Sequence, residues 1–126
     1  ARIAHLLRLV GLLGRQHDPV RTYSRGMVQR LSIARALLHD PPVLLLDEPD
    51  TGLDQQAAAM LKQVITEVAG AGRTTLLTTH NLERGLAWAD RVAILAGGNI
   101  AFAARRDELK VEGFQEIFEQ TVGEHV

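Results

Sequence analysis

The chain has 126 residues, of which 46% are hydrophobic and none is cysteine, and its formal net charge is -1. This length and apolar content can build one domain or a large part of one, while the absence of cysteine excludes a disulfide scaffold and a thiolate metal site. The charges are dispersed and form no basic field of the kind that nucleic acids require, and no run of about 20 apolar residues provides a membrane helix.

Residues 1–40 are predicted to form two helices. Apolar residues recur at helical spacing over residues 3–13 and the pattern fails at Gly14, which indicates an amphipathic helix followed by a turn. A second helix is predicted from about Gly26 to Leu38, because Pro41 and Pro42 cannot continue it. Its apolar stripe is predicted to consist of Met27, Leu31, Ala34 and Leu38.

A strand, a helix and a second strand are predicted next. Residues 43–46 are continuously apolar, as expected for a strand covered on both faces. Residues 74–79 are apolar and β-branched, which predicts a second buried strand. Between them a helix is predicted over residues 55–69, ended by Gly70 and Gly72. Its buried residues are predicted to be Leu61, Val64, Ile65 and Val68. Strand, helix and strand in this order indicate a parallel crossover unit.

The remaining residues predict a short helix, a hairpin and a final helix. Asn81 can cap the short helix. Gly97 and Gly98 separate two strand-like runs, residues 91–96 and 99–103, which is a hairpin pattern. Residues 107–122 are predicted to be helical, and the side chains predicted to face inward are Phe114, Ile117 and Phe118.

Two carboxylates and a histidine are predicted to share one edge of the parallel sheet. Asp47 and Glu48 follow the first strand, and His80 follows the second. Ligands bind beyond the carboxyl ends of such strands, which lie about 4.8 Å apart. One carboxylate can hold Mg²⁺, the other can deprotonate a water, and the imidazole can donate to phosphate oxygens. Taken singly, the same residues also fit an acidic turn and a polar residue near a helix.

A glycine-bearing turn precedes the second helix. The first N–H groups of a helix lack partners within it and form an anion site together with the helix dipole. Gly26 allows a phosphate to approach the backbone, and the Ser24 hydroxyl can add a hydrogen bond. The alternative is an ordinary serine cap beside a glycine. For Arg25 two placements are open, either near a phosphate or in solvent.

These motifs, in this order, resemble the core of the ATP-binding-cassette (ABC) ATPases. Ser24-Arg25-Gly26-Met27 looks like the signature loop, residues 43–48 like the Walker B strand, residues 51–54 like the D-loop, and His80 like the switch histidine. The resemblance extends from the first helix to about Ala103.

The resemblance implies an α/β fold, namely part of the P-loop NTPase ABC fold, with a mostly parallel sheet, flanking helices and part of the helical subdomain. Residues 1–40 are expected to belong to the helical (signature) subdomain, 41–103 to the C-terminal half of the α/β ATPase core, and 104–126 to a C-terminal helical segment. No Gly-x-x-x-x-Gly-Lys-Ser/Thr phosphate loop occurs in the sequence. We therefore interpret the chain as a C-terminal portion, and expect it alone neither to bind ATP tightly nor to hydrolyse it.

The family resemblance implies ATP and Mg²⁺ as cofactors and a role for each matching residue. Asp47 is expected to serve Mg²⁺, Glu48 to be the catalytic base and His80 to contact the γ-phosphate. The residues expected to contact nucleotide or to communicate across a dimer are Ser24, Arg25, Gly26, Gln29 and Asp54.

The resemblance also implies a second ATPase subunit and transmembrane permease subunits as partners, no nucleic acid, and a place at the cytoplasmic face of the membrane. The family signature commonly reads Leu-Ser-Gly-Gly-Gln, from which Tyr23, Arg25 and Met27 depart. The Ser-Arg-Gly-Met version resembles the haem exporters of cytochrome c maturation and some drug- or lipid-type exporters. Two alternatives stay open, a non-transport ABC ATPase of DNA repair, translation or cluster assembly, and a non-enzymatic fragment that docks on a complete ATPase.

Overall fold

The computed structural model describes residues 1–125, which fall into two compact units, Ala1–Thr78 and a second unit that begins at Thr79. The helices are α1 (Arg2–Leu9), α2 (Arg25–Ala36), α3 (Gln55–Gly70), α4 (Leu82–Trp88) and α5 (Val111–Gly123). The strands are β1 (Val43–Asp47), β2 (Thr74–Thr78), β3 (Arg91–Ala96) and β4 (Asn99–Arg105), and 3-10 turns occupy Leu13–Arg15, Val20–Thr22 and Arg106–Glu108. The predicted α/β class is confirmed.

Helices α1 and α2 form where they are predicted, but both end earlier than their apolar patterns. Helix α1 ends at Leu9 because Gly11, two residues later, has a positive φ of 71° that a right-handed helix does not contain. Helix α2 begins at Arg25, directly after its capping residue Ser24, and ends at Ala36.

The buried face of α2 differs from the predicted stripe. Of the four predicted residues only Ala34 is buried, and Leu38 lies beyond the helix and is exposed. The buried residues of α2 and its C-cap are Arg30, Ile33, Ala34 and Leu37. A charged residue thus belongs to this face, which a hydrophobic pattern does not reveal because such a pattern assigns arginine to solvent.

Strands β1 and β2 are parallel and are connected through α3, as predicted. Val43 lies opposite Thr74 and Asp47 lies opposite Thr78, so the two strands end at the same level. Helix α3 buries all four residues predicted for it and one more. Its buried residues are Ala58, Leu61, Val64, Ile65 and Val68.

One face of the β1–β2 pair is exposed, so the predictions of a first strand covered on both faces and of a second buried strand were wrong for the described residues. Successive side chains of a strand point to opposite faces, and Leu44 is buried whereas Leu45 is 70% exposed. Leu76 lies opposite Leu45 and is 63% exposed. The apolar runs are typical of doubly covered strands, yet no described element of the first unit covers this face.

The second unit contains α4, the predicted hairpin and α5. The Asn81 side chain caps α4 by accepting a hydrogen bond of 2.9 Å from the Arg84 N–H. Gly97 and Gly98 have positive φ angles of 56° and 78°, and β3 and β4 pair in antiparallel fashion, which confirms the hairpin. Helix α5 begins at Val111, later than predicted, because a 3-10 turn precedes it. The core of this unit contains Leu86, Ile94 and Phe114, packed by Ile117, Phe118 and others.

None of the helices described for residues 1–125 has both the length and the apolar character needed to span a bilayer. The division of the chain at residues 40 and 103 into subdomain, core and C-terminal segment stays a prediction. Val126, the last residue of that C-terminal segment, lies outside the described residues.

Candidate functional site

Asp47 and Glu48 lie at the carboxyl end of β1 and share one hydrogen-bonding partner, Thr78. The Thr78 hydroxyl donates to Oδ1 of Asp47 at 2.6 Å. The Glu48 N–H donates to the Thr78 carbonyl at 3.1 Å and to the Thr78 hydroxyl oxygen at 2.9 Å. Thr78 therefore orients the carboxylate of the first residue and the backbone of the second.

The backbone of Glu48 is strained. Its φ of 47° places it in the left-handed region, which non-glycine residues rarely adopt and which costs on the order of 1–2 kcal/mol. Such a conformation persists only where the surroundings hold it, and the hydrogen bonds to Thr78 provide that restraint. Backbone strain of this kind concentrates at functional sites, so it supports a chemical role for Glu48.

His80 is exposed and belongs to the second unit, two residues after the end of β2 at Thr78. The turn that carries it is held locally, because the Asn81 N–H donates to Oγ1 of Thr79 at 3.0 Å. The level ends of β1 and β2 support the predicted common edge within the first unit. The meeting of His80 with the carboxylate pair stays a prediction.

The signature-like segment forms the N-terminus of α2 and packs against α3. Oγ of Ser24 accepts a hydrogen bond of 3.2 Å from the Met27 N–H, so the hydroxyl acts as an ordinary helix cap here. A Cβ on Gly26 would lie 3.2 Å from Cβ of Ala57 and 3.8 Å from Cδ2 of Leu53. A side chain at position 26 would have to push Ala57 away by a few tenths of an ångström, so the glycine allows α2 and α3 to pack closely, whatever its relation to a phosphate.

Arg25 is exposed, and its guanidinium lies against Gly52. Its predicted place near a phosphate stays a prediction. A Cβ on Gly52 would lie 2.7 Å from Nη1, 2.8 Å from Cζ and 3.0 Å from Nε of Arg25. The guanidinium thus occupies the side of Gly52 where another residue would carry its side chain. Gly52 also has a positive φ of 74°.

Asp54 and Gln29 have clear structural places. Oδ1 of Asp54 accepts a hydrogen bond of 2.7 Å from the Ala57 N–H and caps α3. Gln29 is half-buried on α2. Their predicted roles toward a nucleotide and a second subunit stay predictions.

Sequence reasoning missed two residues that organise this region. Thr78 is signalled only by its register opposite Asp47. Arg30 is 8% exposed, and its Nη1 donates to the Val10 carbonyl at 2.9 Å, which joins α2 to the end of α1. Desolvation by burial lowers the pKa of the Arg30 guanidinium from its usual value. A hydrophobic pattern carries no signal for such an arginine.

The residues present fit a magnesium ion. Mg²⁺ takes oxygen ligands, keeps several waters, and is commonly bound through one or two carboxylates plus substrate phosphates. Asp47 is exposed at the strand end and provides one such carboxylate. Within residues 1–125 no group of three or more His, Asp or Glu side chains is arranged to hold a metal ion. Water and phosphate oxygens would therefore have to complete the coordination.

Known proteins match this chain over most of its length. Residues 1–51 match the family model described as ABC transporter. A fluoroquinolones export ATP-binding protein of Mycobacterium tuberculosis is 42% identical over 106 residues, which are 84% of this chain and 35% of that protein. The chain belongs to the ABC transporter ATPase domains.

Other relatives of this ABC ATPase chain have similar coverage. A daunorubicin resistance ATP-binding protein of Streptomyces coeruleorubidus is 40% identical over 112 residues, 89% of this chain and 35% of that protein. The Nod factor export ATP-binding protein I of Ralstonia nicotianae is 37% identical over 108 residues, 86% of this chain and 34% of that protein. The ABC ATPase chain therefore spans about a third of the length of these curated relatives.

Solved structures have the same fold as this ABC ATPase chain. An ATP-binding cassette of an ABC transporter has a TM-score of 0.86 and 22% identity, covering 99% of this chain and 49% of its own. A Clostridium perfringens protein described as part of the ABC transporter complex cbiONQ has a TM-score of 0.80 and 26% identity, covering 94% of this chain and 47% of its own.

The narrower resemblance to haem exporters is not supported. The three relatives above are named for fluoroquinolones export, daunorubicin resistance and Nod factor export. The resemblance rested on four residues of the signature-like segment. Those residues form a helix cap and a helix–helix contact, and neither feature has a chemical reason to select a cargo.

Proposed function

We propose that this chain supplies the carboxylate pair and the signature helix of an ABC transporter subunit that hydrolyses ATP to drive export. The observation that carries the proposal is the pair held by Thr78, with Asp47 at the strand end and Glu48 in a strained conformation. A phosphoryl-transfer site needs a metal-binding carboxylate beside a group that orients the attacking water. The exporter names of the relatives support the transport part of the proposal.

Each residue of the first unit's pair has a separate task in this proposal. Asp47 would hold Mg²⁺, and the bound ion would supply charge stabilisation to the nucleotide phosphates. Glu48 orients a water molecule and accepts its proton, and its restrained backbone limits the directions in which its carboxylate can point. His80 donates a hydrogen bond to the γ-phosphate as negative charge accumulates there.

The N-terminus of α2 is proposed to face the nucleotide bound by a second ATPase subunit. Helices α2 and α3 begin beside one another, since Gly26 packs against Ala57, and the N–H groups and dipoles of helix N-termini favour anions. Ser24 and Gly26 contact that nucleotide in the proposal, and Gln29 and Asp54 lie at the same subunit interface. Permease subunits hold the assembly at the cytoplasmic face of the membrane.

The cargo is proposed to be of the drug or Nod factor kind that the relatives' names describe. Haem export has only the four-residue signature segment as support. Transport assays with the permease partners, using a fluorescent drug and haem as competing cargoes, would separate the two. Preferential export of haem would contradict the drug or Nod factor assignment.

The hydrolytic role is tested with Glu48→Gln in the intact subunit assembled with its membrane partners. Loss of the base is expected to lower the ATPase rate by about 100-fold or more, while ATP still binds. Glu112→Gln changes an exposed carboxylate on α5 in the same way and is expected to keep the full rate. A Glu48→Gln subunit that hydrolyses ATP as fast as the Glu112→Gln control would overturn the assignment.

The chain by itself is expected to bind ATP only weakly and not to hydrolyse it. The β- and γ-phosphates depend on a phosphate loop and its lysine, and no such motif occurs in these 126 residues. Isothermal titration of the 126-residue chain with Mg-ATP checks this expectation. A micromolar affinity, or hydrolysis that Glu48→Gln removes, would contradict it.

A second candidate function is favoured by the exposed apolar face of β1 and β2. Leu45 and Leu76 are 70% and 63% exposed on the same face, and covering such side chains is worth about 25 cal/mol per Å². The chain could dock through this face onto a complete ATPase and alter its rate. Mixing the chain with an intact homologue and following ATP hydrolysis tests this, with Leu45→Lys as the variant that should abolish the effect. An unchanged rate in the mixture rejects the docking function.

A further inference from the structure

The guanidinium of Arg25 is seated on the D-loop segment, which is defined here as residues 51–54. Nη1, Cζ and Nε of Arg25 all lie within 3.0 Å of the position that a Cβ on Gly52 would occupy. Three guanidinium atoms at similar distances mean that the group rests broadly on Gly52 rather than touching it with one atom. Only a glycine permits this approach, because any side chain would fill the same space.

The electrostatics of α2 make this placement informative. Arg25 is the first residue of α2, and the first turn contains no acidic residue. A cation at a helix N-terminus is unfavourable because it faces the positive end of the helix dipole. The planar guanidinium nevertheless folds back onto Gly52. The packing contact is therefore made although the charge of Arg25 is unfavourable at this end of the helix.

The next residue contacts the same region. Gly26 lies against Leu53 of the D-loop segment and against Ala57 in the first turn of α3. Two consecutive residues of α2 therefore touch the D-loop segment and the start of α3 within the same compact unit. A displacement of the D-loop segment must separate it from α2 or move α2 with it.

We propose that Arg25 is a positioning residue that holds the D-loop segment against the N-terminus of α2. Because of the contact with Gly52, the D-loop segment and the N-terminus of α2 move together, and a displacement of one displaces the other. Its consequence for catalysis rests on the proposed function, in which both segments face the nucleotide of a second subunit. Arg25 itself serves the geometry of the loop and does not bind phosphate.

The contact is tested first by hydrogen exchange in the 126-residue chain, where no ATP is needed. The amides of Thr51 and Leu53 donate to the carbonyls of Glu48 and Asp50 at 3.3 Å and 3.2 Å. Arg25→Ala is expected to accelerate exchange of these two amides by about 3- to 10-fold through local opening. Arg21→Ala removes the same charge from an exposed site and is the matched control. Equal exchange in the two variants would overturn the proposal.

A double-mutant cycle tests the same contact from the loop side. Gly52→Ala is expected to accelerate loop exchange more strongly in the parent chain than in Arg25→Ala, because only the parent has a guanidinium to displace. Gly72→Ala is the matched control, since Gly72 has a similar φ of 78° but no atom within 4 Å of its would-be Cβ. The effect of Gly72→Ala should be the same in both backgrounds. An equal effect of Gly52→Ala in both backgrounds contradicts the contact.

The catalytic consequence is tested in the intact subunit with its membrane partners. Arg25→Ala is expected to lower kcat for ATP by about 10-fold and to leave KM unchanged, because the residue orients the loop and not the nucleotide. Arg25→Lys is expected to fail as well, because an ammonium lacks the planar surface that rests on Gly52. A raised KM that Arg25→Lys restores would instead identify a phosphate contact. If the parent subunit does not hydrolyse ATP, the proposed function fails and the exchange experiments alone decide the contact.

Discussion

Replacing Arg30 with methionine tests whether a buried guanidinium joins α1 to α2. Arg30 is 8% exposed, donates from Nη1 to the Val10 carbonyl at 2.9 Å, and makes a longer bond of 3.4 Å from Nε to the Gly26 carbonyl. Removing the donor leaves the carbonyl of the buried residue Val10 without this hydrogen bond, and such a loss costs about 1–3 kcal/mol. Methionine retains much of the aliphatic volume, so the cavity cost is small.

The charge of Arg30 reduces the expected loss. Burial desolvates the guanidinium, which is the cause of its lowered pKa, and methionine removes that penalty. We therefore expect a net decrease in the free energy of unfolding of about 1–2 kcal/mol, or roughly 3–8 °C in Tm. A lowered folded-state pKa for a base means that folding destabilises its charged form. This penalty is relieved only as the pH rises from the folded-state pKa toward the unfolded-state pKa. Arginine titrates far above neutrality, so the loss should be the same at about pH 6 and about pH 8.

Urea unfolding followed by two signals measures this loss. Far-UV circular dichroism reports both units. The second signal is the fluorescence of Trp88, which is the one tryptophan of the chain and reports the second unit. Arg30→Lys keeps the charge but not the forked donor geometry and should be intermediate. Arg21→Met changes an exposed arginine in the same way and should shift the midpoint little. The reasoning is refuted if Arg30→Met is as stable as the parent chain, since desolvation would then outweigh the hydrogen bonds.

Three further predictions concern the core and the carboxylate pair. Urea unfolding measures each change in stability, and NMR measures the amide resonance named in the third. Leu61→Ala removes a side chain with 0% exposure and should cost about 2–5 kcal/mol, whereas Leu45→Ala at 70% exposure should cost under about 1 kcal/mol. Equal costs would contradict the described burial. Glu48→Gly should be more stable than Glu48→Ala by about 1 kcal/mol, because φ is positive there; the opposite order would remove the claim of strain. Thr78→Val should lower the free energy of unfolding by about 1 kcal/mol and shift the Glu48 amide resonance. Thr78→Ser keeps the hydroxyl and should restore the stability and the resonance. An unmoved resonance would argue against the shared hydroxyl.

Local patterns predicted most elements well because their causes lie close together in the sequence. Helix α3 ends within one residue of its predicted boundary, and its four predicted residues are buried. A sustained helical period and a glycine-rich end both act within the helix itself. The hairpin was predicted for a similar reason, since Gly97 and Gly98 supply the positive φ angles that the turn needs.

The candidate site was predicted in part. The order of strand, helix and strand predicts Asp47 and Glu48 at the carboxyl end of a parallel pair, and that follows from topology. The register that sets Thr78 opposite Asp47 was not predicted. The strained backbone of Glu48 could not be predicted, because it depends on hydrogen bonds to a residue 30 positions away. The placement of Arg25 on Gly52 could not be predicted either, since it requires the loop before α3 to return to α2.

The sequence by itself determined the α/β class, the parallel unit and the carboxylate pair at its edge, because spacing and residue type act over short distances along the chain. Only the tertiary structure decided which groups those residues meet. It placed Arg30 against the C-terminal end of α1 and Arg25 on Gly52, and it left one apolar face of β1 and β2 exposed to solvent. Contacts of this kind join segments that are far apart in sequence, and the free energy of each depends on geometry that no local pattern contains.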